Sequence, residues 1–143
     1  MNIIEQIIAQ KTEREVVKAG DELSVPVDLA IAHDVTGPMA IEQFSKIGAK
    51  QVFDKDKVIF VIDHNIPSSS VDSRLQHNSL KRFYKDMGIK LYHQGDGVIH
   101  QLVAEKGLYK KGDIVVGADS HTCTAGAFGA IAIPVGATEL AAV

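Results

Sequence analysis

Apolar and polar residues change rhythm several times along this chain. In "MNIIEQIIAQK", Ile3, Ile4, Ile7 and Ile8 recur at helical spacing, so an amphipathic helix is expected from Asn2 to about Lys11. "ELSVPVDLAIAHD" alternates Val25, Val27, Leu29 and Ile31 before running into an unbroken apolar stretch, the pattern of extended chain. "TGPMAIEQFSKIGA" opens with turn residues and then spaces Ile41, Phe44 and Ile47 at helical intervals, which predicts a helix.

The strongest strand signal is "KVIFVIDHN". Val58 to Ile62 is continuously apolar, as expected of a strand covered on both faces. After it, Ser68 to Ser70 offer caps for a helix reaching about Met87, which Gly88 closes. "IKLYHQ" predicts a short strand, and "GVIHQLVAEKG" a helix ending near Gly107. "DIVVGADSH" repeats the earlier design, with a buried strand from Asp113 to about Val116 that ends in polar residues. The Gly-rich passage behind it reads as a loop leading to a helix over Ala137–Val143. Strands alternate with helices and no repeat or linker interrupts them. The expectation is one α/β domain over residues 1–143, three-layer α/β/α with a mainly parallel sheet.

In such a sheet ligands bind beyond the carboxyl ends of the strands. Three predicted strand ends carry acid and imidazole groups: His33-Asp34, Asp63-His64 and Asp119-Ser120-His121. A carboxylate orients a neighbouring imidazole and favours its charged form, and imidazole exchanges protons near neutral pH. Hydroxyl and backbone N–H groups beside such a pair can hold a substrate carboxylate. The small residues from Ala125 to Ala130 would let backbone donors approach closely.

From the residues alone, acid–base work on a polycarboxylic acid competes with a His/Asp metal site of hydrolase type. A covalent role for Ser120 or Cys123 ranks third, since no G-x-S-x-G elbow is present. A non-catalytic binding domain is the remaining class, with the strand-end residues serving only as structural hydrogen-bonding groups. His77 reads as a surface residue because it lies in a polar part of its helix. His93 reads likewise, having no acidic neighbour nearer than Asp96. Cys123 reads as a small packing residue, and "GAFGA" fits tight packing of a helix on a sheet as well as it fits a binding loop.

Composition narrows the partners. Apolar residues are 45% and charged residues 23% of the 143, ordinary for a globular protein. A net charge of -3 argues against nucleic acid or an anionic membrane as partner, since both call for a basic face. No apolar run approaches the roughly 20 residues that span a bilayer. The N-terminus lacks a basic leader and a small-residue cleavage site. The single cysteine, Cys123, rules out an intrachain disulfide and points to a reducing compartment, so a cytoplasmic location is expected.

"AHDVTGP", "VIDHNIP", "GVIHQLVAEKG" and "VVGADSHTCT", followed by "AGAFGAIAIPVGATELAAV", resemble in order and spacing the aconitase superfamily, nearest its 3-isopropylmalate dehydratase and homoaconitase large subunits. The likeness runs over nearly the whole chain, from the opening helix and "VKAGD" onward. It implies a hydro-lyase that isomerises hydroxy-di- or tricarboxylic acids by removing water and adding it back at the neighbouring carbon. The expected substrate is 2-/3-isopropylmalate of leucine biosynthesis, with homoaconitate or a methylmalate-type acid as the alternative. It also implies a 4Fe-4S cluster in the full assembly and a small, swivelling-domain subunit as partner.

Carried over residue by residue, His64 resembles the acid that protonates the departing hydroxyl, with Asp63 as its partner. His100 resembles a histidine paired with Asp119, while Asp119, Ser120 and His121 would surround cluster and substrate. His33 stands where aconitases proper carry a substrate-binding glutamine, and a histidine there resembles the isopropylmalate branch. The implied catalytic set is therefore Asp63, His64, His100, Asp119 and His121, with His33, Asp119, Ser120 and His121 binding substrate.

No metal ligand is expected in this chain. The family holds its cluster by three cysteines, and Cys123 matches none of them. The carboxylate-gripping arginines and the proton-removing serine likewise belong to later domains or the small subunit. Ile133-Pro134 departs from the family's Gly-rich passage, and Pro134 is expected to stiffen the approach to the last helix. Because "GATELAAV" ends within a predicted helix without a stop signal, the chain is expected to be the N-terminal part of a longer family member. Such a part would be inactive alone and prone to self-association through apolar surface that other domains cover.

Overall fold

A computed structural model describes every residue from Met1 to Val143. Helix α1 (Ile3–Thr12) begins at Asn2, whose side chain accepts the Glu5 N–H while the Glu5 carboxylate accepts the Asn2 N–H, a reciprocal cap. Strand β1 (Leu29–His33) is buried throughout. Val25 and Val27, expected in the same extended run, lie outside it and pack half-buried against the core; Pro26 between them has no N–H to donate to a ladder. Helix α2 (Gly37–Ile47) starts with Pro38 in its first turn, where a missing N–H costs nothing.

Strand β2 (Val58–Val61) and helix α3 (Val71–Met87) follow the expected pattern closely. Ser70 accepts the Ser73 N–H, and the Ser73 hydroxyl accepts the Ser70 N–H in return. At the other end Gly88 takes the left-handed conformation (φ 70°) that favours glycine, and its N–H donates to the Tyr84 carbonyl. Strand β3 (Lys90–Tyr92), helix α4 (Ile99–Glu105), strand β4 (Ile114–Gly117) and helix α5 (Ala137–Ala142) complete the expected elements.

One passage differs. The expected loop between β4 and α5 is a 3-10 helix, Ser120–Phe128, followed by a fifth strand, β5 (Ile131–Pro134). β5 pairs with β4 from Ile114↔Ile131 to Gly117↔Pro134. It lies at the sheet edge, where proline is tolerated; Pro134 thus ends a strand rather than merely stiffening a loop.

The five strands are all parallel, in the order β3-β2-β1-β4-β5. Alternation along the strands divides the core in two. Ala30, Phe60 and Val116 pack with Leu80 and Phe83 of α3, Ala40 of α2 and Leu140 of α5. Leu29, Ile31, Ile59 and Val115 face the opposite way and pack with Ile99, Leu102 and Val103 of α4 and Ala125 of the 3-10 helix. Both sheet faces are covered, giving the three-layer α/β/α arrangement expected of the alternating pattern. On the α2–α5 side an open groove of about 400 Å³ is lined by Ile41, Phe44, Ile47, Phe53 and Leu140. No helix is long and apolar enough to cross a membrane.

The sheet has two polar ends. At the amino end, Lys11 Nζ of α1 reaches Asp28 at 2.6 Å and Asp113 at 3.5 Å. Asp28 also accepts the Ile114 N–H (2.8 Å), tying the start of β4 to the residue before β1. The carboxyl end carries the histidines.

Candidate active site

The strand order fixes where a crevice forms. From β1 the sheet grows one way through β2 to β3, then resumes on the other side of β1 with β4 and β5. The carboxyl ends of β1 and β4 therefore flank a topological switch point, the usual ligand site of such sheets. His33 is the last residue of β1, and its Nε2 lies 3.1 Å from Asp119 Oδ2 just beyond β4, across the switch.

Asp34 follows His33 and its side chain is fully buried. Its Oδ1 accepts the N–H groups of Asp63 (3.1 Å) and His64 (2.8 Å), and its Oδ2 accepts the Asn65 N–H (2.8 Å). His77 Nε2 of α3 lies 3.1 Å from Oδ2 and completes the set. An ionised carboxylate has about four lone-pair positions, and here all are taken. Burial works against ionisation of Asp34, but the bonds from the His64, Asn65 and Asp63 N–H groups and from His77 outweigh it. The group is held below the usual carboxylate range.

The same loop carries Asp63 and His64. His64 Nδ1 lies 2.7 Å from Asp63 Oδ1, while Asp63 Oδ2 accepts the Ile99 N–H at the start of α4 (2.7 Å). The Asp63 side chain is 1% exposed and that of His64 42%, so an enclosed carboxylate holds an accessible imidazole. With Nδ1–H given to Asp63, Nε2 is the nitrogen left to exchange protons.

His33 stacks on His64, ring centroids 3.8 Å apart and 16° from parallel. Its Nδ1 accepts the Val35 N–H (3.2 Å), which requires a lone pair there and puts the proton on Nε2. Burial first and the His64 charge second lower the His33 pKa, against the opposing pull of Asp119, Asp63 and Asp34. Geometry and electrostatics agree on a neutral imidazole.

Asp119 caps the 3-10 helix through the His121 N–H. Its Oδ1 lies 3.2 Å from His100 Nε2 and 3.3 Å from His121 Nδ1. The buried His100 nitrogen is close enough for charge attraction yet off the axis of a hydrogen bond. Burial opposes ionisation of Asp119. The His121 N–H, with His100 and His33 nearby, more than offsets it and lowers its pKa. The His121 ring is 79% exposed, and Ser120 Oγ lies 3.5 Å from its Nδ1; both stand at the mouth.

His33, Asp63, His64, His100, Asp119, Ser120 and His121 thus meet at one rim. His93 is exposed, as expected, and packs edge-on to Tyr84 outside the network. Two expectations need correction. Cys123 is exposed rather than a packing residue; the short turns of the 3-10 helix leave its Sγ 3.4 Å from the Ser120 carbonyl. His77 is 6% exposed rather than on the surface. It continues the buried stripe Ser73, His77, Leu80, Phe83, and extending that spacing back from Leu80 would have found it.

Ligand atoms of His33, Asp34, Asp63 and His64 lie within 4.8 Å of one another. A cation there would have to displace existing donors, because Asp34 is saturated and both Asp63 oxygens and His33 Nδ1 already accept hydrogen bonds. The donor set is poorly suited to a hydrolase metal. Nor do the residues fit a 4Fe-4S cluster, which is held by several thiolates, whereas this chain has one exposed cysteine.

Residues 5–143 match the aconitase family (aconitate hydratase). The chain is 46% identical over 143 residues to the 3-isopropylmalate dehydratase large subunit 1 of Pyrococcus abyssi, covering 99% of this chain and 34% of that protein. It is 45% identical over 138 residues to the 3-isopropylmalate dehydratase large subunit of Methanoregula boonei, covering 96% and 33%. The corresponding protein of Halothermothrix orenii is 45% identical over 144 residues, covering 99% and 34%. The chain spans about a third of the length of these curated relatives.

Proposed function

The chain belongs to the aconitase family, and on that premise we propose that residues 1–143 are the N-terminal α/β domain of a hydro-lyase large subunit and form one wall of its active site. The reaction is reversible dehydration and rehydration of a hydroxy-dicarboxylic acid. The names of the similar proteins favour 2-/3-isopropylmalate, and hence leucine biosynthesis, over homoaconitate or a methylmalate-type acid. The observation that carries this reading is the Asp63–His64 pair, bonded at 2.7 Å and stacked on His33 beside the switch point.

In this reading His64 delivers a proton from Nε2 to the departing hydroxyl and takes it back on rehydration. Asp63 fixes the tautomer and stabilises the imidazolium, as a carboxylate partner does for a general acid. Neutral His33 gives substrate an uncharged wall. Asp119 sets a negative charge beside His33, His100 and His121, and Ser120 and His121 offer donors to a substrate carboxylate at the mouth. The 4Fe-4S cluster, the arginines, the proton-removing base and the small subunit lie outside this chain, and the working location is the cytoplasm.

The test joins this chain to the remaining two thirds of a relative such as that of Pyrococcus abyssi, with its small subunit and anaerobic reconstitution with iron and sulfide. A brown protein that forms the unsaturated acid, with the 143-residue chain alone inactive, is the expected outcome. Colourless, inactive protein counts against the proposal. Stoichiometric divalent metal on the 143-residue chain, lost in His33→Ala and His64→Ala, would favour the hydrolase instead.

A further inference from the structure

We infer that His77 and Asp34 form a positioning pair: together they fix the backbone of Asp63, His64 and Asn65, and so set where His64 presents Nε2. The inference rests on the hydro-lyase reading only for its kinetic consequence. A fully buried carboxylate is costly unless its oxygens are satisfied. No lysine or arginine pairs with Asp34; its donors are three consecutive backbone N–H groups and one imidazole. Convergence of three successive N–H groups on one carboxylate dictates the shape of the loop that carries the acid.

His77 is the only one of the four donors that is a side chain, and the only one on a helix. It stands 43 residues from Asp34 in sequence, on a helix capped at both ends and packed along its buried stripe. Without the His77 donor, Oδ2 would lose a partner in a dry setting, where an unmet acceptor is expensive. Rotation of the carboxylate toward water would release Asn65, which shares that oxygen, and then His64 and Asp63. The imidazole of His64 would lose its alignment with Asp63 and its stack on His33. Leu80, next on the stripe, supplies packing alone; His77 supplies packing and a directed donor.

The test uses the 143-residue chain and the assembled enzyme. In the wild-type chain, nitrogen-15 NMR should show His77 protonated on Nε2, with that proton slow to exchange. His77→Leu removes the donor and keeps bulk, while His77→Gln keeps an N–H. In His77→Leu the amides of Asp63, His64 and Asn65 should exchange at least about tenfold faster, with those of Ile59 and Val115 unchanged, and His77→Gln should restore most of the protection. In the assembled enzyme His77→Leu should lower kcat by up to about 10²-fold at little changed KM, with recovery in His77→Gln.

Unchanged exchange at residues 63–65 in His77→Leu, or uniform acceleration across the chain in both variants, would overturn the pairing. If His77→Leu does not fold, the wild-type spectrum decides, and a His77 Nε2 without a proton overturns it. A local loss of protection together with an inactive wild-type assembly would overturn the proposed reaction and uphold the positioning.

Discussion

At the amino end of the sheet Asp28 and Asp113 converge on Lys11, whereas at the carboxyl end Asp34, Asp63 and Asp119 converge on imidazoles and backbone N–H groups. Lysine keeps its charge across the neutral range, so the first cluster is a fixed tie between α1 and the sheet. The second keeps two carboxylates ionised without a permanent cation, since Asp34 and Asp119 are both lowered chiefly by hydrogen bonds and nearby histidines. Carboxylates beside strand ends do not make a proton-exchanging site; partners that titrate near neutrality do.

Removing one group from each end should separate them most sharply in catalysis. On the proposed reading, in which His64 is the general acid, His64→Gln in the assembled enzyme should lower kcat by about 10²–10⁴-fold. Asp28→Asn should leave kcat unchanged. Steady-state assay of both variants breaks the comparison if they fall together.

Smaller effects should appear in stability. Gly117 closes β4 against the site, and a Cβ there would strike Thr122 and Ile31. Gly117→Ala should cost about 1–3 kcal/mol in urea unfolding, the range for overpacking. Gly112 at the other end of β4 has open space and a φ of +86°, so Gly112→Ala should cost only about 1 kcal/mol, from backbone strain.

Weaker again is the pH dependence. His33 has a lowered folded pKa, so its contribution is present above the ordinary histidine value of about 6.5 and is lost as pH falls from there through the folded value. Asp34 and Asp119, also lowered, add stability above about 3.9 that disappears as acid reaches their folded values. His33→Asn should flatten the first step and leave the second, by thermal melts across that range. Lys11, raised chiefly by Asp28, contributes below about 10.4 and loses that contribution as alkali passes its folded pKa. Because its side chain is partly exposed and screened, Lys11→Met should cost under about 1 kcal/mol, shrinking with salt.

Legibility from sequence followed the locality of each cause. β2 was readable because a continuous apolar run has one outcome in a covered sheet, and α3 because Ser70 and Gly88 mark its ends. β5 was not: "IAIP" is four residues long, contains proline, and becomes a strand only because β4 offers an open edge. The strand-end groups could be named from position alone, since three predicted strands stopped at acid and imidazole residues. Asp34's role could not, because its donors lie 29 to 43 residues away. His77 was hidden by the polar neighbours that give α3 its hydrophilic average, although its phase relative to Leu80 and Phe83 pointed inward.

The parallel rings of His33 and His64, 3.8 Å apart, set a limit on what the crevice can store. Two cations face to face at that spacing repel, and charge on His64 already discourages charge on His33. The stack therefore disfavours a second positive charge, and His33 is the ring kept neutral.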